Sequence, residues 1–352
     1  MKPVTLLNAF LIIFILPALS QIDSKPSFPV ADIQSDSAGL FDSDNILEIT
    51  LKFDITEYRK RKDDSTYMDA WLSTVADGDT LTRKIRLRAR GEFRRKFCDL
   101  PPIMLNLDLD DSIQGDFSNI NKLKMVTECP EGNQEYILKE YLTYKLYSVL
   151  TTVSYKVRLL KVNYVNTGRQ NKVTNGFAFV IEPDELFAKR TESVEVKTAN
   201  LTQKNVKPAM MDRMAVFNYM IGNTDWSVPI GHNTKLFAQP DSERPDLAAV
   251  VPFDFDFSGI VNTDYAAPFH TLNLDSVRER KYLGMCRDKG TFLQVLSEFN
   301  SKKSEFYRVI SEFRHLDERS KDDMIYYLDT FYDDLIKPEA LARTLLRECI
   351  RF

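Results

Sequence analysis

Two short stretches constrain this chain more than any others: NTDWSVPIGHN, from Asn223 to Asn233, and VPFDFDFSG, from Val251 to Gly259. Each sets Asp or Asn inside a run that is otherwise apolar or tight-turning. In the second, Asp254 and Asp256 alternate with Phe253, Phe255 and Phe257. That is the period of a strand, and it predicts carboxylates on one face and aromatic rings on the other. An acidic face backed by rings is a poor solvent-facing strand and a good wall for a divalent cation. Carboxylates at i and i+2 can share one Mg²⁺, which takes a few hard oxygen ligands and fills the rest of its shell with water and substrate phosphates. The remainder of the chain reads as a scaffold that brings the two stretches together.

The ends and the cysteines set the compartment. Residues 1–20 carry Lys2, an apolar run from Leu6 to Leu19, and Ala18-Leu19-Ser20 before Gln21, the pattern of a secretory signal peptide. No other run approaches the ~18 apolar residues of a membrane span. Residues 21–45, rich in Ser, Asp and Pro without periodicity, read as a flexible leader. The expected location is therefore outside the cytoplasm: periplasmic, cell-surface or extracellular. Four cysteines follow, Cys98, Cys129, Cys286 and Cys349. None forms a CxxC pair, which speaks against zinc, and export favours disulfides. Cys98–Cys129 is the preferred bridge, because both flank neighbouring strand-like segments. A net charge of −4 gives no electrostatic case for nucleic acid, and 43% hydrophobic residues are enough for a sizeable core.

The order of patterns gives an α+β chain. Ile46–Asp54 alternates as a first strand. Thr82–Arg90 alternates strictly, with Ile85, Leu87 and Ala89 facing one way and Arg86, Arg88 and Arg90 the other. Gly91 follows at a turn, then Arg94, Arg95 and Lys96. This is either an anion cradle or a basic edge strand that resists edge pairing. Further strands are expected at Ile103–Leu109, Lys122–Val126, Lys156–Tyr164 and Phe177–Ile181. A helix is expected over Gln134–Leu150, with an apolar stripe at Leu138, Leu142, Leu146 and Val149 and with Glu140 off that stripe. After Glu182 the character changes. A Met-rich helix, Ala209–Ile221, whose methionines read as core packing, leads into the first stretch, and from Gly290 onward the pattern is helical. The expected division is a sheet-rich half over 46–183 with one long helix, and a mostly helical half over 184–352.

A strand Lys, a helix Glu, an Asp…Asn loop and an Asp-bearing strand end, in that order, are the parts of the protein-kinase-like fold. The chain resembles the CotH family of secreted atypical kinases. The matching pieces are RARGEFRRK (Arg88–Lys96), LKEYLTYKLY (Leu138–Tyr147), VIEPDEL (Val180–Leu186), the Asp225…His232-Asn233 loop and PFDFDFSG (Pro252–Gly259). The likeness covers roughly residues 80–290. It implies a two-lobed fold, with a mainly antiparallel sheet in the N-lobe and a helical C-lobe. It also implies ATP and Mg²⁺ as cofactors and a protein as acceptor. By the resemblance, Asp225 orients or deprotonates the acceptor hydroxyl, and Asn233 with Asp254 or Asp256 holds Mg²⁺. Lys124 contacts the phosphates and pairs with Glu140, with Lys122 and Lys96 as rivals. Arg90 and Gly91 cover the phosphates, and Glu182 marks the connector near the adenine. The chain departs from the pattern in having no GxGxxG loop and in placing Asn233 eight positions after Asp225.

Two other classes compete. A non-catalytic module on the same fold would bind a nucleotide, Ca²⁺ or a glycan. A metal-dependent hydrolase would use the same Asp cluster, but it usually wants more His ligands, and the chain has only His232, His270 and His315. His232 reads as a hydrogen-bonding residue and Trp226 as packing beside the loop. No GxSxG elbow supports a serine triad.

Overall fold

A computed structural model describes residues 39–351, apart from 77, 108–116, 118–119, 131, 197–200 and 241–246. The signal peptide and most of the leader lie outside the described residues. The N-terminal half is a closed barrel. Its strands are β1 (Leu47–Phe53), β2 (Met68–Ala76), β3 (Asp79–Ala89), β4 (Ile103–Asn106), β5 (Lys122–Thr127), β6 (Val157–Asn166) and β7 (Lys172–Ile181), in the order β1-β2-β3-β4-β5-β7-β6. Neighbours are antiparallel except where β1 closes on β6 in parallel, from Leu47↔Leu160 to Phe53↔Asn166. The expected mainly antiparallel sheet is thus closed on itself. Closure removes the edges that such a sheet would have to protect.

Alternation decides what fills the barrel. Leu47, Ile49, Leu51 and Phe53 of β1 point in, as do Ile85, Leu87 and Ala89 of β3, while Glu48 and Lys52 stay outside. On β6 the two faces serve two cores. Leu160 and Val162 fill the barrel, while Val157 and Leu159 pack outward with Phe179 and Ile181 of β7. Because β3 lies between β2 and β4, it is not an edge strand. Its outward Arg86 and Arg88 lie over the Tyr67 ring, at 5.9 and 5.3 Å.

Short helices α1 (Ile55–Lys60) and α2 (Phe93–Phe97) sit in the barrel connections, and α3 (Gln134–Leu150) runs across its outer face. α3 packs against β6, β7 and a later helix, α7 (Lys303–Ser311). It is therefore buried on most sides rather than along one stripe: Glu140 is 1% exposed, and Lys139 and Thr143 are buried too. The described end of the leader is packed as well. Leu40 is buried, Asp42 pairs with Lys156, Asp44 pairs with Lys145, and Arg158 donates to the Ser43 carbonyl.

Beyond β7 come α4 (Asp184–Arg190), β8 (Val194–Glu195), α5 (Pro208–Ile221), β9 (Thr234–Ala238) and β10 (Ala249–Pro252), then α6 (Lys289–Ser301), α7, α8 (Glu318–Leu335) and α9 (Pro338–Glu348). α5 opens on Pro208 and closes on Gly222 in the left-handed region, at φ 66°. A Cβ at Gly222 would lie 2.0 Å from the Tyr327 hydroxyl, so only glycine fits this turn into the first stretch. Met211, Met214 and Met220 of α5 are fully buried core. The chain is thus a mixed α+β fold, a β-barrel followed by a largely helical half.

Two disulfides are formed, Cys98–Cys129 as expected and Cys286–Cys349. They are the chemistry of an oxidising compartment. Among the described residues no helix is long and apolar enough to cross a membrane.

Candidate active site

The β9–β10 hairpin joins the two acidic stretches. Its register pairs Thr234 with Pro252, so Asn233, just before β9, faces Phe253, just after β10. The Phe253 amide donates to the Asn233 carbonyl at 3.0 Å. Ladder register alone therefore places Asp225…Asn233 beside Asp254 and Asp256.

The first stretch is a turn braced from within. Ser227 and His232 exchange both backbone hydrogen bonds at 2.9 Å, and Gly231 takes φ 62° inside the loop they close. Asn223, itself buried, accepts the Asp225 amide at 3.0 Å. His232 Nε2 lies 2.7 Å from Asp225 Oδ1, and Asn233 Nδ2 donates to Asp225 Oδ2 at 2.9 Å and to the Asp225 carbonyl at 2.8 Å. One carboxylate is thus gripped at both oxygens. Burial, helped by the Asp254 charge and opposed by His232 and Asn233, holds Asp225 above the usual carboxylate range. Trp226 is buried beside the loop.

The second stretch is not a strand. β10 ends at Pro252, and Asp254 takes φ 62°, a left-handed conformation uncommon for a residue with a side chain. The twist replaces the expected two-faced wall. Phe255 drops fully into the core against Tyr144, with ring centroids 4.8 Å apart, while Asp254 and Asp256 converge on one guanidinium. That guanidinium is Arg94, from α2. Arg94 Nη1 lies 3.0 Å from Glu140 Oε2, Nη2 lies 2.6 Å from Asp254 Oδ1, and Nε lies 2.8 Å from Asp256 Oδ2. Tyr265 adds a hydrogen bond to Asp256 Oδ2 at 3.0 Å, and the Asp254 amide donates to the Tyr144 hydroxyl at 2.8 Å.

Arg94 meets three carboxylates, and Arg90 acts on Asp254 from further off. The carboxylate oxygens of Glu140, Asp254 and Asp256 lie within 4.8 Å of one another. Burial drives Asp256 well above the usual carboxylate range, and the Asp254 and Glu140 charges add to this against Arg94. Burial also raises Glu140, more than Arg94 lowers it. Burial acts on Asp254 in the same direction, but Arg94 and Arg90 outweigh it and hold this carboxyl low; its side chain is 42% exposed. Asp254 and Asp256 thus stand close together in the cluster, and neighbouring carboxylates repel one another unless a positive charge lies between them.

Asp225, Asn233, Asp254 and Asp256 all line one cavity of about 740 Å³, together with Arg90 and Gly91. Gly91 takes φ 86° and turns the chain out of β3. The expected Lys124–Glu140 pair is replaced by two others. Glu140 is held by Arg94, and Lys124 by Asp184 Oδ2 at 3.3 Å, because α2 delivers its guanidinium to the seat the strand lysine was expected to fill. Lys124 does not line the cavity. It shares Asp184 with Lys235, at 2.6 Å, and with the Tyr155 hydroxyl, at 2.6 Å. Its rival Lys122 is exposed on β5, while Lys96 reaches the cavity wall. Glu182 is buried away from the cavity, where it accepts from Arg190 and the Lys156 amide. Reading the sequence missed Arg94 as the hub, and Asp184 and Lys235 as partners. The available signal for Arg94 was a charge inside Phe93–Phe97, a segment short enough to read as a turn.

Among family models none matches this chain, and no curated protein does. Among solved structures, the crystal structure of a Helicobacter pylori proinflammatory kinase, CtkA, is similar over 72% of this chain and 94% of that one, at 12% identity and a TM-score of 0.41. Likeness at that level says nothing about chemistry.

Proposed function

We propose that this chain is an exported phosphotransferase of the CotH-like kind, which moves a phosphoryl group from ATP to a hydroxyl of a secreted or surface protein. The observation that carries the reading is the meeting of the Asp225–His232–Asn233 turn and the Asp254–Asp256 turn on one cavity that Arg90 and Lys96 also line. Phosphoryl transfer asks a protein mainly for positioning and for charge opposite the phosphates. Asp225, braced at both oxygens and raised by burial, is built to orient an acceptor hydroxyl and take its proton. Arg90 stands where a phosphate would need a cation.

The donors fit Mg²⁺. They are hard oxygens, three of them carboxylate oxygens within 4.8 Å of one another, the donor type this cation takes. Asp254, Asp256 and the amide oxygen of Asn233 would hold the ion, which supplies charge neutralisation on the phosphates. His270 and His315 lie outside the carboxylate cluster, which leaves a hydrolase of the His-rich type without its ligands. The non-catalytic reading keeps one supporting observation: Arg94 already sits among the three carboxylates and partly neutralises them.

A thermal-shift series with Mg²⁺, ATP and both, run beside transfer of labelled phosphate, separates these readings. The expected result is a shift that needs Mg²⁺ and ATP together. Asp225→Ala should keep that shift and lose transfer by about 10²–10⁴-fold. A shift with Ca²⁺ alone, or full transfer by Asp225→Ala, would overturn the kinase reading.

A further inference from the structure

The cavity has a second wall that phosphate chemistry does not use. Phe93 and Phe97 stand four residues apart on α2, so they share a face, while Arg94 between them turns inward. Their rings stack at 5.4 Å and are braced from behind by Tyr265, at 5.5 and 5.2 Å. Both line the cavity and both stay open, Phe93 at 44% exposed and Phe97 at 50%. Phe269, 51% exposed, lines the same cavity and packs edge-on to His232, with centroids 6.4 Å apart. Whatever approaches Asp225 therefore meets an aromatic collar beside the base.

We infer that the collar formed by Phe93, Phe97 and Phe269 seats the ring of a phenolic acceptor, and that the hydroxyl offered to Asp225 is a tyrosine side chain of a protein. This inference rests on the phosphotransferase reading and adds the class of acceptor. The argument is one of matching surfaces. A serine or threonine hydroxyl stands close to its own backbone. Bringing it to Asp225 would press peptide N–H and C=O groups onto phenylalanine rings that cannot hydrogen-bond them, and that desolvation is costly. A tyrosine hydroxyl stands at the far end of a flat apolar ring. The ring covers the collar in offset or edge-on contacts of the kind aromatic pairs favour, and the backbone stays at the mouth in water.

The transfer balances simply. The tyrosine oxygen forms a bond to the γ-phosphorus, the bond from that phosphorus to the β-bridging oxygen breaks, ADP leaves, and the phenolic proton passes to Asp225.

Two measurements on the full mature chain test this. The first is binding of three peptides, identical except for a central Tyr, Phe or Ser, by titration calorimetry without nucleotide. The second is the phosphorylation kinetics of the Tyr and Ser peptides with Mg²⁺–ATP. The Tyr and Phe peptides should bind, each about tenfold more tightly than the Ser peptide, and kcat/KM should favour Tyr over Ser by at least that factor. Phe97→Ala and Phe269→Ala should each raise the KM for the Tyr peptide several-fold, while Phe97→Leu, which keeps the apolar surface but loses the ring, should fall between Phe97→Ala and the parent. Equal binding of the three peptides, a preference for Ser, or no effect of either alanine variant would overturn the inference. Ring-dependent binding without transfer to any peptide would instead remove the phosphotransferase reading and leave the collar as a binding site for aromatic side chains.

Discussion

Arg94, buried, and Asp184, partly buried, are both hubs with three polar partners, and they are built in opposite ways. Asp184 gathers Lys124, Lys235 and the Tyr155 hydroxyl, and Lys235 also reaches Glu195 at 3.1 Å. Two cations thus meet two anions, and the cluster closes on itself. Arg94 gathers Glu140, Asp254 and Asp256, one cation for three anions, and Asp254 is left partly open to a cavity. The balanced cluster needs nothing further. The unbalanced one stores repulsion that a proton relieves in part and a divalent cation could relieve more fully. Charge balance, more than burial or hydrogen-bond count, separates a brace from a candidate site in this molecule.

The sharpest way to break that comparison is to remove one cation from each hub. Arg94→Ala leaves two buried carboxylates and Asp254 around an empty seat, and losing one partner of a buried ion pair costs about 3–5 kcal/mol. Lys124→Ala leaves Asp184 with Lys235 and Tyr155, so the loss should be that of one hydrogen-bonded contact, about 1 kcal/mol. Urea unfolding of both variants compares them, with Arg94→Lys included in case Arg94→Ala does not fold. If Lys124→Ala costs as much as Arg94→Ala, the two clusters do not differ as argued. If Lys124→Ala instead leaves stability alone and weakens nucleotide binding, Lys124 is a phosphate contact after all.

The same comparison explains what could be read from the sequence. The barrel strands were legible because alternation is a local property: Ile85, Leu87 and Ala89 face inward as their spacing requires. The meeting of Asp225, Asn233, Asp254 and Asp256 was legible because a short hairpin joins the two stretches. Barrel closure was not, since it depends on a parallel pairing of β1 with β6 more than a hundred residues away. The form of the second stretch was misread because alternation also describes a left-handed twist that buries Phe255 and Asp256 on separate sides. The partner of Glu140 was misread for a related reason. Sequence order offers a strand lysine, while the distance that decides the pair is set by where α2 lands after Gly91.

A second, smaller effect sharpens the unbalanced side. Asparagine at 256 keeps an oxygen for Arg94 and Tyr265 and removes one carboxylate charge from beside Asp254. Asp256→Asn should therefore fold at least as well as the parent without metal, because burial already disfavours the charged carboxylate. Mg²⁺ should then stabilise the parent and do little for the variant. Thermal melts with and without Mg²⁺ measure both. A variant clearly less stable than the parent without metal would mean that Asp256 serves the fold rather than a cation.

The smallest expected effect tests the balanced side through pH. Burial alone would raise Asp184, but Lys124 and Lys235, with the Tyr155 hydrogen bond, outweigh it and hold the carboxyl below its ordinary value of 3.8. A lowered carboxyl favours the folded state wherever it is ionised in both states. That contribution is fully present above the ordinary value and is lost as pH falls through the folded one. Asp184→Asn removes the charge at every pH. The variant should be less stable than the parent at about pH 7, and the gap should narrow as pH falls below 3.8 and through the parent's lowered carboxyl. Urea midpoints along that pH range give the gap directly. A gap that stayed constant would assign the loss to packing or to the Tyr155 hydrogen bond, and the ion pairs with Lys124 and Lys235 would then contribute nothing to holding α4 against β5 and β9.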